Sequence, residues 1–538
     1  MKEKKPILRN RTYLYLTEFF SGMSVMAVEL GASRLLAPYF SSSQIVWTII
    51  IGTIMIAMAL GNVWGGRMAD KNPNPDFLYG RILLAGVWIA LIPLLGRYVI
   101  AGVSLLLALF VKSGFLVWAS LLSCLLLFVF PLMLLGSVSP ALVKFSVNAL
   151  NENGRTVGEL NALNTIGSIL GTFLPTFVTI PAVGTMLTFV IFAALLIALG
   201  GIYLIGFRKK WRKTVVSVIL LVACGVGSFF SSFSFWEKTT FEGESIYNYL
   251  KVYEDDSAVY FSTNVLFGVQ SMKMKNGGLT GGYYDYALAA PLMAGVTEKE
   301  DFEILILGLA TGTYASQCLE YFGNVSIEGV EIDKKITDLA RTYFDLPTVV
   351  DVTVDDGRAY LYSGKGKEKK YDVIMVDAYQ DITIPFQMST SEFFSLVRSH
   401  LKEDGVMVLN MNMYSDDEGS INNYLADTAA SVFSNVCYAR IEDNRELFAS
   451  DNPDMLSVFE NSVPSVKDAR LRSCMNEALK KFKENGKYEG GNLILTDDKA
   501  PVELLGIRLI DNMIESELSY YRNIYKEKGF KGLWDSLT

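Results

Sequence analysis

The sequence predicts a multi-pass α-helical membrane domain followed by a doubly wound α/β domain with a small β-sheet at its N-terminal side. Apolar residues dominate from about Tyr13 to Trp236. Residues 247–275 alternate apolar and polar side chains, as the strands of a half-exposed antiparallel sheet do. After residue 303, short apolar runs alternate with helical segments, which is the pattern of a parallel sheet with crossover helices. We therefore expect three domains, over residues 1–236, 237–296 and 297–538.

The apolar region is long enough for many membrane crossings, because a spanning helix needs about 20 mostly apolar residues. The predicted spans lie near 13–36, 44–66, 79–97, 115–138, 158–180, 184–206 and 214–236. The shorter stretch 98–111 is either an eighth span or an interfacial segment. The basic N-terminus has no small-residue cleavage site, which is typical of an anchor helix rather than of a removed signal peptide.

The composition excludes several classes of function. The formal net charge of −8 argues against a nucleic-acid partner, which usually requires a basic face. The five cysteines include no C-x-x-C pair, so neither a zinc site nor a disulfide framework is expected. With a single histidine, His400, the chain offers no histidine-based triad or histidine-rich metal site, and we expect no metal.

The C-terminal half contains five runs typical of buried parallel strands, at 303–310, 325–333, 350–361, 371–379 and 405–412. Their alternation with helical segments predicts a Rossmann-like sheet of the methyltransferase type. In such sheets, ligands bind beyond the C-terminal ends of the strands, near the point where the strand order reverses.

Small residues follow the first of these strands. Gly308, Ala310 and Gly312 lie in the turn GLATGT, where small side chains let a nucleoside approach the backbone. The helix that begins after this turn favours negative groups at its N-terminus. A glycine-rich turn alone is weak evidence for a nucleotide site.

Acidic residues end the next three strands. Glu331 ends the second strand, where a carboxylate can accept hydrogen bonds from both ribose hydroxyls. Asp356 and Gly357 end the third strand, where a carboxylate suits the exocyclic amine of adenine, and Asp377 ends the fourth. Together these strand ends predict an adenosine-containing ligand, and the competing interpretation is that the carboxylates only cap helices.

These motifs resemble the spermidine synthase (polyamine aminopropyltransferase) family, specifically its membrane-fused bacterial branch. The resemblance covers roughly 242–505 in the catalytic part, and the segments 29–40 and 46–71 are similar to the membrane part of that branch. The segment TDDKAPVE (496–503) resembles the closing segment of the branch.

The family's site residues can be carried over by position. Gln270 in FGVQS matches the nucleoside-contacting glutamine, and Tyr284 in GYYDYALAAPL matches the tyrosine of the family's Tyr-His-Glu segment. Glu331 matches the ribose-binding glutamate, and Asp356 with Gly357 matches the adenine-contacting Asp-Gly. Asp377 in YDVIMVDAY matches the first aspartate of the catalytic loop.

The chain departs from the family pattern at Phe267, which replaces an aspartate, at Asp285-Tyr286, which replaces His-Glu, and at two acidic positions that act on the substrate amine. Thr311 replaces the aspartate that grips the amine of the aminopropyl group, so a charge-assisted hydrogen bond worth about 1.5–3 kcal/mol is lost. Gln380 stands where the family has its proton-accepting aspartate, and Asp381 follows one residue later. A glutamine accepts no proton from an amine nucleophile, so Asp381 can serve as the base only if the loop bulges.

The resemblance implies aminopropyl transfer from decarboxylated S-adenosylmethionine to a diamine such as putrescine. The implied catalytic residues are Asp377, Asp381 and Tyr284. The implied nucleoside-binding residues are Gln270, Gly308, Ala310, Thr311, Gly312, Glu331, Asp356 and Gly357. The implied partners are a small-molecule polyamine and the lipid membrane, and family members are often dimers or tetramers, which suggests a homodimer.

Two other functions remain open. With Thr311 in place of the aspartate, the glycine turn is also typical of an S-adenosylmethionine-dependent methyltransferase with an unknown acceptor. Glu18, Glu29, Arg34 and Glu159 lie in apolar segments, where charged residues often mark a transport path. They favour a membrane transporter or sensor regulated by the nucleoside-binding domain, unless they only join helices to one another.

Lysine and arginine residues predict the membrane topology, because they concentrate in cytoplasmic loops. The basic N-terminus, Arg67 with Lys71, Lys144 with Arg155 and the cluster 207–213 all point inward if 98–111 does not span. The last helix would then carry the α/β domain outside. The use of an intracellular nucleoside favours a cytoplasmic domain instead, and on that ground we expect one.

Overall fold

The N-terminal part of the chain folds into a bundle of long apolar helices. The computed structural model describes residues 10–146, 153–206, 211–265, 268–323, 325–379, 384–412, 415, 417–441 and 444–537. The helices of the bundle are α1 Arg11–Phe40, α2 Gln44–Lys71, α3 Pro75–Phe110, α4 Phe115–Gly136, α5 Val138–Ser146, α6 Asn153–Leu174, α7 Ile180–Gly206 and α8 Trp211–Phe229. Six helices in the described part are long and apolar enough to cross a membrane, with 154–206 taken as one helical run. The stretch 98–111 forms no helix of its own but belongs to the C-terminal part of α3.

The helical run 154–206 reverses direction within the bundle. A short π-helical turn at Pro175–Thr179 joins α6 to α7, and the backbone leaves the helical region at Gly184. Asn164 of α6 donates to Glu18 of α1 at 2.8 Å, whereas the start of α1 contacts the end of α7, where Leu199 accepts from Tyr13. The helix α6 is therefore parallel to α1 and α7 is antiparallel, so the described bundle has seven lengthwise helical legs.

Three of the four charged residues noted within the apolar segments make contacts inside the protein. Glu18 accepts from Asn164, and Glu159 accepts from the Tyr15 hydroxyl. Arg34 donates to two backbone carbonyls of the loop at 245–248, which follows the first strand of the chain. These bonds join helices to one another and join the bundle to the α/β part. They agree with the interpretation that these charged residues hold helices together.

A four-stranded antiparallel sheet follows the bundle. Its strands are β1 Phe241–Glu244, β2 Tyr249–Glu254, β3 Ala258–Ser262 and β4 Ser271–Met274, paired in sequence order. Two short helices, α9 Tyr283–Ala287 and α10 Ala289–Met293, connect it to the next sheet. This is the antiparallel sheet that the alternation over 247–275 predicts.

The α/β domain is built on a seven-stranded sheet in the order β10-β11-β9-β8-β5-β6-β7. Its strands are β5 Glu303–Leu307, β6 Ser326–Glu331, β7 Asp351–Val354, β8 Tyr371–Val376, β9 Leu401–Met411, β10 Asn435–Ile441 and β11 Asn444–Ser450. The five strands predicted as parallel are parallel, which confirms the Rossmann-like fold class.

The sheet is nevertheless mixed, which corrects the prediction of a purely parallel sheet. The strand β11 runs antiparallel to both β9 and β10. Two residues separate β10 from β11, which is too few for the crossover that parallel strands require. The hairpin of β10 and β11 follows the fifth predicted strand and was not predicted from the sequence.

The last helix returns to the bundle. The helices of the α/β domain are α11 Thr313–Phe322, α12 Lys334–Tyr343, α13 Gly357–Ser363, α14 Ser391–Ser399, α15 Ile421–Val432, α16 Met455–Ser462, α17 Ala469–Asn485 and α18 Val502–Leu537. Asp511 of α18 accepts hydrogen bonds from the backbone N–H groups of Gly114 and Phe115, at 2.7 and 3.0 Å. It therefore caps the N-terminus of α4, and α18 bridges the two parts of the chain.

Candidate functional site

A cavity of about 790 Å³ opens at the C-terminal ends of the central strands. The strand β5 lies between β6 and β8, so the strand order reverses beside it, and this is where doubly wound sheets bind ligands. The predicted site residues that line the cavity are Gln270, Tyr284, Gly308, Ala310, Glu331, Asp356, Gly357 and Asp377. The fold thus brings together most of the residues that the sequence singled out.

The turn after β5 brings the backbone close to the cavity. Gly308 has φ +89°, and a Cβ atom there would overlap the backbone of Asp377 and Ala378. Gly312 has φ +85° and precedes α11. Thr311 is buried behind this turn, where its hydroxyl donates to Oγ of Ser271 at 2.6 Å. The turn therefore exposes backbone rather than side chains to a ligand.

Glu331 is held rigidly at the end of β6. One carboxylate oxygen accepts from the N–H of Ala310 and the other from the N–H of Asp333, both at 3.0 Å. Burial raises the pKa of Glu331 to about 7, and the two backbone hydrogen bonds oppose that rise. The carboxyl group is oriented by the glycine turn, so it can accept hydroxyl donors from the cavity.

Asp356 caps a helix and also lines the cavity. Its Oδ1 accepts from the N–H of Ala359 at 2.8 Å, so the carboxylate caps α13 at Gly357. The same residue lines the cavity. A carboxylate that caps a helix is fixed in position, and an exocyclic amine can reach this one from the cavity.

Gln270 and Tyr284 support one wall of the cavity. The Oε1 atom of Gln270 accepts from the N–H of Thr263 at 2.9 Å, and its backbone carbonyl accepts from the Tyr284 hydroxyl at 2.6 Å. The ring of Tyr284 lies 3.9 Å from that of Tyr283, centroid to centroid. Tyr284 thus fixes the Gln270 backbone, and its neighbour Tyr283 faces the acidic group.

Asp377 lies at the end of β8. The Tyr283 hydroxyl donates to Oδ2 at 2.7 Å, and Nδ2 of Asn410 donates to Oδ1 at 2.9 Å. Burial raises the pKa of Asp377 to about 7, despite these two donors. A carboxyl group with that pKa can accept or release a proton near neutral pH. Gln380 and Asp381 lie outside the described residues.

Three contributors to the site, and one buried carboxyl group beside it, were not identified from the sequence. Tyr283 was passed over in favour of the adjacent tyrosine, and Asn410 ends the fifth strand, where its polar side chain was a usable signal. Glu446 lies on the unassigned strand β11. The helix α18 adds an apolar wall to the cavity, formed by Ile510, Met513 and Ile514. No local pattern in the sequence indicates that so distant a helix returns to the site.

The ionisable groups at the end of β8 and beside it are carboxyl groups without a paired cation in the described chain. Among the described residues, no lysine or arginine forms an ion pair or hydrogen bond with Asp377 or Glu446. Tyr283 and Asn410 are neutral donors. Asp377, which lines the cavity, is therefore available to a positively charged or proton-donating ligand.

Comparison with known proteins identifies the family. The family model of the spermine/spermidine synthase domain matches residues 288–441. A probable polyamine aminopropyl transferase of Bifidobacterium longum is 49% identical over 349 residues, covering 62% of this chain and 77% of that protein. The polyamine aminopropyltransferase of Hydrogenobaculum sp. is 29% identical over 177 residues, covering 32% of this chain and 59% of that protein.

The chain is also similar to solved structures. A probable spermidine synthase from Corynebacterium glutamicum superposes with a TM-score of 0.36 at 19% identity, covering 45% of this chain and 95% of that chain. The resemblance to the spermidine synthase family is confirmed by the family match and by the relative from Bifidobacterium. The chain therefore belongs to the spermine/spermidine synthase (polyamine aminopropyltransferase) family, a family of transferases.

Proposed function

We propose that this protein transfers an aminopropyl group from decarboxylated S-adenosylmethionine to a diamine such as putrescine. The observation that carries this proposal is the environment of Asp377, which Tyr283 and Asn410 hold at the edge of the cavity with a pKa of about 7. An amine nucleophile must lose a proton in this reaction, and a carboxyl group poised near neutral pH can accept it.

The cavity supports the donor part of the proposal. The glycine turn leaves room for a nucleoside against the backbone, and Glu331 offers its carboxyl group to the ribose hydroxyls. Asp356 takes the exocyclic amine of adenine, and Gln270 borders the nucleoside. In this arrangement the sulfonium carbon of the donor is directed toward Asp377.

The reaction is a displacement at the carbon beside the sulfonium. The amine nitrogen of the acceptor forms the new C–N bond while the C–S bond breaks, and its electron pair stays on sulfur as methylthioadenosine. Asp377 takes a proton from the ammonium form of the attacking amine before the C–N bond forms, which frees the electron pair of the nitrogen, and the positive charge of the sulfonium ends on the new secondary ammonium. Most of the rate comes from alignment of the two substrates and from desolvation of the amine. Asp381 remains a second candidate base, and Tyr284 remains a candidate catalytic residue.

The test is turnover by the full-length protein in detergent or nanodiscs. Decarboxylated S-adenosylmethionine and putrescine should yield equal amounts of methylthioadenosine and spermidine, measured by mass spectrometry. Asp377→Asn should lower kcat by about 10²-fold or more, the usual range for a lost general base, and should retain methylthioadenosine binding. Absence of both products from a protein that binds the donor would contradict the proposal.

An S-adenosylmethionine-dependent methyltransferase is the second candidate. The observation that favours it is Thr311, whose buried hydroxyl binds Ser271 and offers no carboxylate to the aminopropyl amine. The same assay decides between the two candidates. Formation of S-adenosylhomocysteine from S-adenosylmethionine, without methylthioadenosine from the decarboxylated donor, would support methyl transfer.

We infer that residues 1–236 anchor the enzyme in a membrane with seven spans. Residues 237–296 and 297–538 then form the catalytic part, which faces either the cytosol or the exterior. The helix α2 supports the membrane anchor, because Met55, Ile56, Leu60 and Val63 are each more than half exposed along one side of it. Contiguous exposed apolar residues of this length suit lipid rather than water.

The direction of each helix decides which end of the bundle meets the α/β part. The carbonyl of Pro38, near the end of α1, accepts from Val265, and Glu244 of β1 accepts from the N–H of Thr185, near the start of α7. We call this the near end. At the far end, Lys144 pairs with Asp70 of α2 at 2.7 Å.

Basic residues are concentrated at the far end. The described ones are Arg11, Arg67, Lys71, Arg81, Lys144, Arg155, Arg212 and Lys213. At the near end, Arg34 and Arg97 donate to backbone carbonyls of the protein itself, and Lys112 is exposed in the loop between α3 and α4. Because basic loops stay in the cytoplasm, we infer that the far end is cytoplasmic and the catalytic part lies outside. This placement differs from the cytoplasmic one that metabolite supply favours.

Cysteine labelling tests the placement. A membrane-impermeant maleimide applied to intact cells should label Lys365→Cys in the α/β domain but not Asn72→Cys at the far end; both positions are exposed. The unsubstituted protein controls for Cys474, its one partly exposed cysteine in the described chain. The reverse labelling pattern would establish the cytoplasmic placement.

A further inference from the structure

Glu446 lies beside the residues that hold Asp377. It belongs to β11, where its register partner on β9 is Asn410. Directly opposed residues on antiparallel strands present their side chains to the same face of the sheet. Asn410 lines the cavity and donates to Asp377, and Asn444, two residues before Glu446, lines the cavity and donates to Asn410. Glu446 therefore projects from the same face as these two asparagines.

The carboxyl group of Glu446 is buried without a partner. Its side chain is 0% exposed, and neither carboxylate oxygen has a hydrogen-bond partner in the described structure. An unpaired buried polar group costs about 1–3 kcal/mol, so proteins normally satisfy such groups.

The groups around Glu446 supply no positive charge. Asp377 acts on it electrostatically, and Tyr284, Tyr314 and Tyr379 lie close enough to sense its charge. Burial and the negative charge of Asp377 raise the pKa of Glu446 well above its ordinary value. Two neighbouring carboxyl groups in a low-dielectric site oppose each other's ionisation, and a cation between them relieves that repulsion. The empty site therefore favours a state in which one of the two groups keeps its proton.

We infer that Glu446 is a second acidic residue of the acceptor site, which pairs with a cationic amine of a diamine while Asp377 accepts the proton of the attacking amine. This inference rests on the proposed function. The ligand class follows from the charge balance, because a diamine brings one ammonium for Glu446 and one amine for Asp377. Glu446 acts on the distal amine, so it selects diamines over monoamines.

Calorimetric titration of the full-length protein with putrescine, without donor, tests the inference. The unsubstituted protein should bind putrescine more tightly than 1-butylamine and should release a proton when it binds, measured by comparing buffers of different ionisation enthalpy. Glu446→Gln keeps the shape of the side chain but removes its charge. It should weaken putrescine binding at least about tenfold, the factor that 1.4 kcal/mol represents, and abolish both the preference and the proton release.

Matched variants complete the test. Glu368→Gln removes an exposed carboxylate of the same domain and should bind as the unsubstituted protein does. Glu446→Asp moves the charge back by one methylene, so this variant should still release a proton but should bind putrescine more weakly. It tests the inference if the glutamine variant does not fold. Unchanged diamine preference and proton release in Glu446→Gln would overturn the inference. If putrescine binding depends on Glu446 but no methylthioadenosine forms with donor, the proposed reaction fails and the cation site stands.

Discussion

The hydroxyl of Tyr283 donates a 2.7 Å hydrogen bond to Oδ2 of Asp377 across 94 residues of sequence. The bond joins the short helix α9 to the end of β8, so the small helix between the two sheets completes the acidic site. Burial and hydrogen bonding act on Asp377 in opposite directions, and burial prevails, since its pKa is about 7. The proton affinity of the site is therefore set by Tyr283 and Asn410 as well as by the aspartate.

Tyr283→Phe should shift the pH dependence of kcat. The hydroxyl stabilises the ionised carboxylate, so its loss raises the pKa of Asp377 further above its ordinary value. The base works when it is ionised, so activity rises with pH through this pKa, and the acid limb should move up by about one unit. That shift corresponds to about 1.4 kcal/mol, near the lower bound for a hydrogen bond to a charged group.

Tyr284→Phe is the matched control for this prediction. It removes an adjacent hydroxyl that donates to the Gln270 carbonyl rather than to Asp377. Its acid limb should stay in place, and the KM for the donor should change instead. Equal shifts in the two variants would mean that Tyr283 acts through packing and not through its hydrogen bond.

Particular residues explain how far the sequence could predict the site. Asp377 and Glu331 were found because a polar residue at the end of an apolar strand has a fixed position in a doubly wound sheet. Tyr284 was singled out by its match to the family motif and Tyr283 was not, because the direction of each side chain depends on the five-residue helix α9. Glu446 was missed because β11 gains its partner only through tertiary pairing, which leaves no periodic signal in so short a strand.

The ligand-free protein should be less stable at pH 8 than at pH 5.5. Asp377 and Glu331 have pKa values of about 7, and the pKa of Glu446 lies well above its ordinary value. Carboxyl groups of the unfolded chain titrate near pH 4. Between these pH values the folded state binds more protons than the unfolded state, so the free energy of unfolding falls as pH rises. The chain has one histidine, so few other groups titrate there.

Thermal unfolding in detergent measures this effect. The Tm should drop by at least about 3 °C from pH 5.5 to pH 8, the shift that ~1 kcal/mol produces in a domain of about 150–250 residues. Glu331→Gln removes one of the titrating groups and should make the dependence shallower. A Tm that rises over this interval would show that these carboxyl groups are ionised in the folded protein.

Gly308→Ala should cost more stability than Gly281→Ala. Both glycines have positive φ, +89° and +82°, so each substitution carries a conformational penalty of roughly 1–2 kcal/mol. A Cβ at Gly308 would also meet the backbone N of Ala378 at 2.7 Å, whereas nothing lies within 4 Å of one at Gly281. The difference in Tm between the two variants isolates the contact with β8.

The Gly308 variant should also lose methylthioadenosine binding, because the turn must move away from Asp377 to admit the methyl group. Calorimetric titration of both variants measures this loss. Equal stability and equal nucleoside affinity would show that the approach of the turn to β8 contributes nothing to the site.

Asp511→Ala should loosen the cavity wall that α18 provides. The Asp511 carboxylate caps the N-terminus of α4, and losing such a cap costs about 0.5–2 kcal/mol. Ile510 and Ile514 of the same helix line the cavity, so a detached α18 should raise the KM for the acceptor more than it raises the KM for the donor. Limited proteolysis should also cut the chain after residue 502 sooner than in the unsubstituted protein. Glu527→Ala, at an exposed position of the same helix, should leave both unchanged. If Asp511→Ala keeps the protease resistance and KM values of the unsubstituted protein, the contact between α18 and the bundle plays no part in acceptor binding, and the helix is held by its apolar packing alone.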